Sequence, residues 1–595
     1  MSKYSDDFMQ WLKDAGYTHC FFVAGGNAMH LIESASYRFN CVPFIHEVGA
    51  TIAADSFNEI CREDERAFVL VTAGPGLTNV TTGVASAWVD RRELLVIGGQ
   101  AKSTDLSRGR VRQMGFQEIG GVEILKSITK KSVLIDKQIG REELNKFVAI
   151  SKTHPKGPVF LEVCLDITIQ ETKEDLDNLQ NTSLTNSSSR KNISYDVKKV
   201  INLLKQSIRP VILVGGGIDR NTCVSDMQLL RDMGVPIATT FNGADRIGAD
   251  YEYYCGRPNW YGSRWANLII QQADLVIAIG ARLGLMQTGY NWQEFVPNGK
   301  VIQIEIEENE INKGFPELEF SLNCNPNDFL QELSAELQGE DFKEIDTWRN
   351  LVKKIRVDLA KPDKKNIAAK GFVEYYSFTQ ELISKLGKSD NINPCSSGGN
   401  YESFGRVMLS QTGQKWVTCP GMASMGFGIS GGIGMALAYP ENRTIVLEGD
   451  GGLSQNLQEF GVIRRLNANM KIFIADNGNY GSIKSHQKAA FNNHYIGCDK
   501  PTGLWLPEWE HIGKAFDIPT LALTDEDTFG ESFTKLFESD GPVIFIVKVD
   551  PDQIFFPKIL SSKNSKGEIA SNPLHLMEPP LSDAEFKEYA PHLGS

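Results

Sequence analysis

Short runs of consecutive apolar residues recur along the chain, and a stretch long enough for a helix follows most of them. The runs at 66–72, 94–98, 210–214, 274–279 and 444–447 are rich in β-branched residues and show no polar alternation. Such runs are typical of strands that are buried on both faces of a sheet. Strands of this kind that alternate with helices form parallel sheets covered by helices on both sides. The pattern therefore predicts an α/β protein.

This rhythm occurs in three blocks, and 595 residues are too many for one hydrophobic core. We predict three doubly wound parallel-sheet domains followed by a C-terminal tail. The predicted limits are 1–174 for the first domain, 175–195 for a polar linker, 196–340 for the central domain, 341–369 for a charged connector, 370–555 for the third domain and 556–595 for the tail.

Composition disfavours several classes of protein. The 74 Asp and Glu residues outnumber the 61 Lys and Arg residues, and the net charge of −13 disfavours nucleic acid as a partner. The ten cysteines form no CxxC pair, which favours free thiols over a disulfide framework or a zinc site. The first residues lack the apolar core of a signal peptide, so we expect a cytoplasmic protein.

One uncharged stretch, 416–440, is long enough to span a bilayer. Six of its residues are glycine, however, and charged or strand-like segments follow it directly. These features favour a buried loop and helix in a large α/β core, and we expect no contact with a membrane.

The sharpest chemical signal lies in the third block. The strand at 444–447 ends in Glu448-Gly449-Asp450-Gly451-Gly452, and the next strand ends in Asp476-Asn477. The carboxyl ends of neighbouring parallel strands meet at one edge of a sheet, where glycines let the backbone approach a phosphate at a helix N-terminus. Hard oxygen ligands together with a diphosphate are what Mg²⁺ prefers. Asp450 and Asn477 therefore predict a site for a metal and a diphosphate.

The run from Gly449-Asp450-Gly451 to Asn477 resembles the thiamine-diphosphate motif shared by pyruvate decarboxylases, pyruvate oxidases and acetolactate synthases. Further segments match the acetolactate synthase branch in order, and they extend over nearly the whole chain; these are 46–55, 72–79, 116–118, 280–282 and 421–428. The resemblance implies a pyrimidine-binding first domain, a central domain and a diphosphate-binding third domain.

The same resemblance implies roles for single residues. Glu47 would hydrogen-bond N1′ of the cofactor's aminopyrimidine and stabilise the imino tautomer that deprotonates thiazolium C2. Met425 would hold the two rings bent towards each other. Gln117, the second catalytic candidate, would orient the substrate carbonyl.

Metal and cofactor ligands are implied in the same way. Asp450, Asn477 and the backbone carbonyl of Asn479 would bind Mg²⁺. The remaining residues implied to contact thiamine diphosphate are Gly25, Gly26, Thr72, Asn79, Ser397, Gly398, Gly399, Asn400, Gly421, Ala423, Gly449, Gly451, Gly452, Tyr480, Gly481, Ser482 and Ile483.

Opposite halves of one cofactor site would come from the first and third domains. In the family that site forms between two subunits, so the resemblance implies a homodimer at least, and a tetramer is common. The ligands expected beyond the cofactor are a 2-oxo acid donor and a carbonyl acceptor.

Two departures from acetolactate synthases affect the predicted acceptor pocket, to which we assign Gln117, Met286 and His486. After Ala281-Arg282 a synthase continues with a carboxylate-rich run and a second arginine, whereas this chain has 283–286, Leu-Gly-Leu-Met. A charge-assisted contact is worth roughly 1.5–3 kcal/mol, so its loss disfavours a second 2-oxo acid at that position. His486 aligns with a tryptophan that crowds the acceptor pocket of synthases.

Three other runs, 256–262, 287–293 and 570–579, resemble a synthase-like subgroup encoded with surface-polysaccharide genes. Its best-understood type adds a two-carbon unit from pyruvate to the keto group of a nucleotide-linked deoxysugar, as in yersiniose formation. The resemblance thus implies a sugar acceptor.

Our hypothesis is a decarboxylating carboligase that depends on thiamine diphosphate and Mg²⁺ and transfers a two-carbon unit from pyruvate to a carbonyl acceptor, preferably a nucleotide-linked ketosugar. Acetolactate synthase is the first alternative and a flavin-dependent pyruvate oxidase the second. A non-enzymatic regulatory or scaffold paralogue is a further alternative. Binding of FAD stays open, because only Gly215–Gly217 and Arg282 match part of the flavin site of synthases.

Overall fold

A computed structural model describes residues 2–173, 176, 194–338, 345–395, 397–563 and 569–594. Nearly all of the predicted linker, 175–195, lies outside these residues. The described chain forms three parallel sheets, which confirms the predicted fold class. The domain limits given above stay predictions.

The first sheet has six strands in the order β2-β1-β3-β4-β6-β5. Its strands are β1 His19–Phe22, β2 Asn40–Pro43, β3 Ala67–Val71, β4 Leu94–Gln100, β5 Lys131–Ile135 and β6 Pro158–Cys164. The central sheet has five strands in the order β11-β10-β9-β7-β8. Its strands are β7 Pro210–Val214, β8 Ile237–Thr239, β9 Leu275–Ile279, β10 Lys300–Glu305 and β11 Phe320–Asn323.

The third sheet repeats the order of the first, as β13-β12-β14-β15-β17-β16. Its strands are β12 Asn391–Asn393, β13 Lys415–Trp416, β14 Thr444–Gly449, β15 Met470–Asp476, β16 Thr520–Leu523 and β17 Val543–Lys548. The two outer domains therefore present equivalent loops at the carboxyl ends of their strands.

Helices flank all three sheets. Those of the first domain are α1 Tyr4–Asp14, α2 Met29–Ser36, α3 Glu47–Ile60, α4 Pro75–Asn79, α5 Thr81–Val89, α6 Gly121–Leu125, α7 Arg141–Lys152 and α8 Leu165–Thr168. The central region carries α9 Ser194–Gln206, α10 Arg220–Asp226, α11 Gln228–Asp232, α12 Arg264–Gln271, α13 Leu285–Thr288, α14 Glu308–Ile311, α15 Pro326–Leu337 and α16 Asp346–Leu359. The third domain carries α17 Tyr375–Ser384, α18 Gly398–Arg406, α19 Phe427–Ala438, α20 Asp450–Leu453, α21 Phe460–Leu466, α22 Gly481–Ala490, α23 Trp509–Ala515 and α24 Glu531–Phe537.

Helices α3 and α19 pack against each other and join the first and third domains in one core. The contact is close because α19 is rich in glycine: a Cβ at Gly434 would lie 2.0 Å from the carbonyl oxygen of Ala53. The uncharged stretch 416–440 contains the predicted buried helix, α19, but the loop before it is not buried as predicted, since residues 421–423 are exposed. Among the described residues, no helix has both the length and the apolar character needed to cross a bilayer.

The tail packs on the central domain. Its elements are β18 Lys558–Ile559, β19 Ser561–Lys563, β20 Ile569–Ser571, β21 Met577–Glu578 and α25 Asp583–Tyr589. Leu574, Met577 and Leu593 are buried with the central core, and the amide of Gln272 donates to the carbonyl of Tyr589 at 2.8 Å. The tail therefore extends the hydrophobic core of the central domain.

Candidate active site

Glu47 lies at the carboxyl end of the first sheet, where it begins α3 directly after β2. Its side chain is 8% exposed, and Oε2 accepts a hydrogen bond from Nδ2 of Asn79 at 2.9 Å. Asn79 is the last residue of α4, the short helix that follows β3. One side-chain amide therefore orients a nearly buried carboxylate.

The turns around Glu47 hold four more of the predicted residues. A Cβ at Gly25 would lie 2.4 Å from Cβ of Thr72, so only glycine lets the loop after β1 reach that side chain. A Cβ at Gly74, which has φ +62°, would lie 3.0 Å from Cβ of Gln117. Gln117 itself has φ +59°. The structure thus brings Glu47, Thr72 and Gln117 to one edge of the first sheet. Gly26 follows Gly25 in the same loop, with open space beside its Cα.

Asp450 lies at the equivalent edge of the third sheet and is 2% exposed. Its Oδ1 accepts from the backbone N–H of Gly451 at 2.7 Å, and Oδ2 accepts from those of Asn477 at 3.1 Å and Gly478 at 2.7 Å. A carboxylate offers about four lone-pair sites, so these three bonds leave one for a cation. Burial and the nearby Asp476 raise the pKa of Asp450 to about 7.

The loop after β15 supplies further oxygen atoms. Oδ1 of Asn477 accepts from the backbone N–H of Asn479 at 3.0 Å. Oδ1 of Asn479 is buried and has no hydrogen-bond partner among the described residues. Gly481 lies against the Asn477 amide and Gly451 against the Tyr480 ring, at distances that leave no room for a Cβ. The donor set is thus a carboxylate and amide oxygens, which suits Mg²⁺ and fits the predicted metal site.

The N-terminus of α18 lies beside the end of β14, where a Cβ at Gly449 would be 3.9 Å from Nδ2 of Asn400. Ser397, Gly398 and Gly399 open this nine-residue helix, and among the described residues no atom lies within 4 Å of a Cβ built at Gly398, which has φ +62°. The free N–H groups of a helix N-terminus favour an anion such as a diphosphate. The geometry of this edge therefore suits both a metal and its anionic ligand.

Comparison with known proteins agrees with this geometry. The N-terminal TPP binding domain, the central domain and the C-terminal TPP binding domain of the thiamine pyrophosphate enzymes match residues 2–124, 197–333 and 397–547. Together these matches cover more than half of the chain. The chain belongs to the thiamine pyrophosphate enzyme family.

Several relatives are acetolactate synthases. The chain is 25% identical to "Acetolactate synthase isozyme 2 large subunit" of Escherichia coli over 519 residues, which cover 86% of this chain and 89% of that protein. It is 27% identical to "Probable acetolactate synthase large subunit" of Methanocaldococcus jannaschii over 542 residues, 88% of each chain. With "Acetolactate synthase 2, chloroplastic" of Nicotiana tabacum it shares 25% over 585 residues, 94% of this chain and 84% of that one.

In this thiamine pyrophosphate enzyme the segment before α19 carries Met425, which is half-buried. The amide of Gln455 lies 3.9 Å from its sulfur. Ala423 and Gly426 both have positive φ, at +52° and +76°. Gly421 packs so closely on Val89 of the first domain that a Cβ would lie 2.3 Å from Cγ1. The segment is thus sharply curved and wedged between two domains.

The predicted acceptor residues lie on different elements of this enzyme. Ser482, Ile483 and His486 are on α22, a helix without buried residues, and the ring of His486 contacts the carbonyl of Ser482 at 3.3 Å. Met286 instead lines a cavity of about 1200 Å³ between the three domains. No hydrogen bond among the described residues joins Met286, His486 and Gln117, so their common pocket stays a prediction.

That cavity also contains the residues that resemble a flavin site, Gly216, Gly217 and Arg282. These glycines also have a structural role. The N–H groups of Gly215 and Gly217 donate to the carbonyls of Ile279 and Gly280 at 2.9 and 3.0 Å. Arg282 donates to the carbonyl of Val89 at 2.7 Å. The cavity is large enough for a nucleotide, but these contacts leave FAD a prediction.

Two buried glutamates beside the candidate site, Glu448 and Glu459, were not predicted from the sequence. Glu448 accepts backbone N–H bonds at the start of α19, and Glu459 accepts one from His46, the residue before Glu47, at 3.0 Å. Burial raises the pKa of each to about 7. A charged residue inside the apolar run of β14 was the one sequence signal for Glu448.

Proposed function

We propose that this protein is a decarboxylating carboligase that depends on thiamine diphosphate and Mg²⁺ and takes a two-carbon unit from pyruvate or a related 2-oxo acid. The observation that carries the proposal is the pairing of two carboxylate sites on equivalent edges of identically ordered sheets. Glu47 with its Asn79 partner is one of them, and the Asp450–Asn477 loop is the other.

Each site has a distinct task in this proposal. When bound, thiamine diphosphate supplies the nucleophilic carbon and the electron sink for loss of CO₂. Glu47 would hold a proton at N1′ of the aminopyrimidine, with Asn79 fixing the direction of the carboxylate. Asp450, Asn477 and Asn479 would hold Mg²⁺ and, through it, the diphosphate. Gln117 would orient the carbonyl of the 2-oxo acid.

A second copy of the chain would complete the site. Large apolar side chains are exposed on the segments that carry predicted site residues: Phe116 is 82% exposed beside Gln117, and Trp505 is 72% exposed in the loop after α22. Met422 and Ile483 are also exposed. Exposed apolar surface beside candidate site residues is typical of protein interaction surfaces. It supports a homodimer at least, with the site between subunits.

For the acceptor, two observations point in different directions. The relatives named above are acetolactate synthases, which supports a second 2-oxo acid as acceptor. The run 283–286, which lacks the second arginine of synthases, supports a neutral acceptor such as a nucleotide-linked ketosugar. The surface-polysaccharide subgroup and the sugar acceptor rest on the sequence resemblance alone.

The test is to incubate the purified protein with thiamine diphosphate, Mg²⁺ and pyruvate. Release of CO₂ that depends on both additions is the expected result, and its absence with every 2-oxo acid tried would refute the proposal. Rapid formation of acetolactate from pyruvate alone would identify a synthase. Slow turnover that a nucleotide-linked ketosugar accelerates would identify the sugar acceptor. Uptake of O₂ with bleaching of a bound flavin would instead identify a pyruvate oxidase.

A further inference from the structure

Glu448 is a carboxylate with no solvent exposure at the end of β14, two residues before Asp450. The strand is otherwise apolar from Ile445 to Leu447. Placing a charged group in such a core is costly unless hydrogen bonds compensate for the lost hydration. The position of this side chain therefore calls for a specific set of partners.

Those partners are backbone N–H groups at the N-terminus of α19. Oε1 accepts from the N–H of Gly426 at 2.9 Å, and Oε2 accepts from that of Ile429 at 2.9 Å. The twelve-residue helix has no capping side chain of its own, since Gly426 occupies the N-cap position. Glu448 thus supplies, from a neighbouring strand, the cap that a local Ser, Thr or Asp would normally provide.

Small residues make room for this contact. A Cβ at Gly428 would lie 2.7 Å from Oε2 of Glu448, and one at Gly452 would lie 3.3 Å from Oε1. On the opposite side, the amide of Asn456 donates to the carbonyl of Gly426 at 3.0 Å. Gly426 is therefore held by its N–H on one side and by its carbonyl on the other.

The residue before Gly426 is Met425, and the residue after the pair Glu448-Gly449 is Asp450. One carboxylate therefore ties the segment that would support the cofactor rings to the loop that would bind its diphosphate. We propose that Glu448 is a positioning residue: by holding the backbone next to Met425, it fixes the position of the Met425 side chain relative to the Asp450 loop. This inference rests on the proposed function for the roles of Met425 and Asp450.

Glu448→Gln tests the proposal, because the amide keeps the size of the side chain but has only one oxygen. Its NH₂ group cannot accept a hydrogen bond, so one of the two backbone N–H donors loses its partner. In the apoprotein, backbone amides at 419–429 should exchange with deuterium faster than in the wild type. Glu162→Gln is the matched control: Glu162 is also buried and accepts from the N–H of Val122, but it lies on the first sheet and should leave exchange at 419–429 unchanged.

In the holoenzyme, Glu448→Gln should lower kcat for CO₂ release about 10–100-fold, as expected for a misplacement near 1 Å, while Kd for thiamine diphosphate changes little. The near-ultraviolet circular dichroism of the bound cofactor should change with kcat. Because Glu448 acts through Met425, its loss should add little to that of Met425→Ala in the double variant.

Wild-type exchange at 419–429 together with wild-type kcat in Glu448→Gln would overturn the proposal. The proposal would also be overturned if the fold-losses in kcat of Glu448→Gln and Met425→Ala multiplied in the double variant. If Glu448→Gln does not fold, Glu448→Asp gives the same test, because it keeps the charge but withdraws it by one methylene. Failure of the proposed function would show separately, as a wild-type protein that neither binds thiamine diphosphate nor releases CO₂.

Discussion

The first and third domains have the same strand order, yet they hold their candidate site carboxylates differently. Glu47 follows the edge strand β2 and receives one hydrogen bond, from the side chain of Asn79. Asp450 follows the inner strand β14 and receives three, all from backbone N–H groups. A carboxylate with one hydrogen-bond partner keeps most of its lone pairs free for a further ligand, whereas three backbone donors fix the position and orientation of the other carboxylate.

The same contrast exists at the two helices that pack together. The N-terminus of α3 has a local cap, His46, whose Nδ1 accepts from Val48 at 3.4 Å. The N-terminus of α19 is held by Glu448 from another strand. One architecture thus holds two kinds of carboxylate, to which the proposed function gives two tasks, holding a proton and binding a metal with its anionic ligand. The predictions below test whether this division of tasks is real.

The largest effect is expected from Glu47→Gln, which removes the group that would hold the proton and keeps its shape. Because general acid–base groups contribute about 10²–10⁴-fold, CO₂ release from pyruvate should fall by that factor. Binding of thiamine diphosphate, measured by calorimetry, should persist because the diphosphate site is intact. Glu93→Gln is the matched control, a similarly buried glutamate of the same domain that pairs with Arg66 at 3.2 Å. Equal rates for Glu47→Gln and the wild type would remove Glu47 from the mechanism.

Sequence patterns predicted the architecture well because buried parallel strands leave a local signature. The apolar runs at 66–72, 94–98 and 444–447 correspond to β3, β4 and β14, with ends that differ by a few residues. After β3 the structure has two helices, α4 and α5, with a break between them. Val80 joins them, a position at which no proline or glycine marks a break.

A smaller effect is expected from Asp450→Asn. A hydrogen bond or ion contact to a charged group is worth about 1.5–3 kcal/mol, so the affinity for thiamine diphosphate at fixed Mg²⁺ should fall roughly 10–100-fold. Excess Mg²⁺ should restore part of the lost affinity for thiamine diphosphate. Removal of Mg²⁺ from the wild type with EDTA should likewise weaken cofactor binding and lower activity. The control is Asp390→Asn, a buried aspartate at the opposite end of the third sheet that pairs with Arg443 at 2.8 Å. An unchanged affinity in Asp450→Asn would exclude the carboxylate as a metal ligand.

The parts of the site that depend on distant contacts could not be predicted. Glu459 and His46 are more than 400 positions apart, and no sequence pattern links them. The segment 256–262 was interpreted as a subgroup marker, but Arg257 donates to the carbonyl of Phe404 at 2.7 Å and the carbonyl of Tyr261 packs on Gly405. This segment therefore has a structural task, which is to hold the C-terminal end of α18.

A more modest loss is expected from Asn79→Ala, which removes the only hydrogen bond that the described residues give to the Glu47 carboxylate. A hydrogen bond to a charged group at the lower end of its range, about 1.5 kcal/mol, corresponds to a roughly tenfold loss of kcat. Asn79→Asp should be worse than Asn79→Ala, because it places a second negative charge beside Glu47. If Asn79→Asp were as active as the wild type, the single-partner description of Glu47 would be wrong.

The most direct test of the comparison between the two domains places the Glu47→Gln and Asp450→Asn changes in different copies of the chain. If Glu47 of one subunit works with Asp450 of its partner, a dimer of one Glu47→Gln chain and one Asp450→Asn chain has one site with both changes and one with neither. The assay uses a thiamine diphosphate concentration that saturates the wild type but not Asp450→Asn, so that both parent variants are nearly inactive. Random pairing makes half of the dimers mixed, so co-expression of the two variants should then restore about a quarter of wild-type activity. Purification through two different tags should raise this to about half, since every dimer is then mixed. If the two carboxylates of one chain served the same site, no pairing would create an intact one, and the mixture would stay as inactive as its components. Activity at that basal level in tag-selected mixed dimers would place the whole site within a single chain.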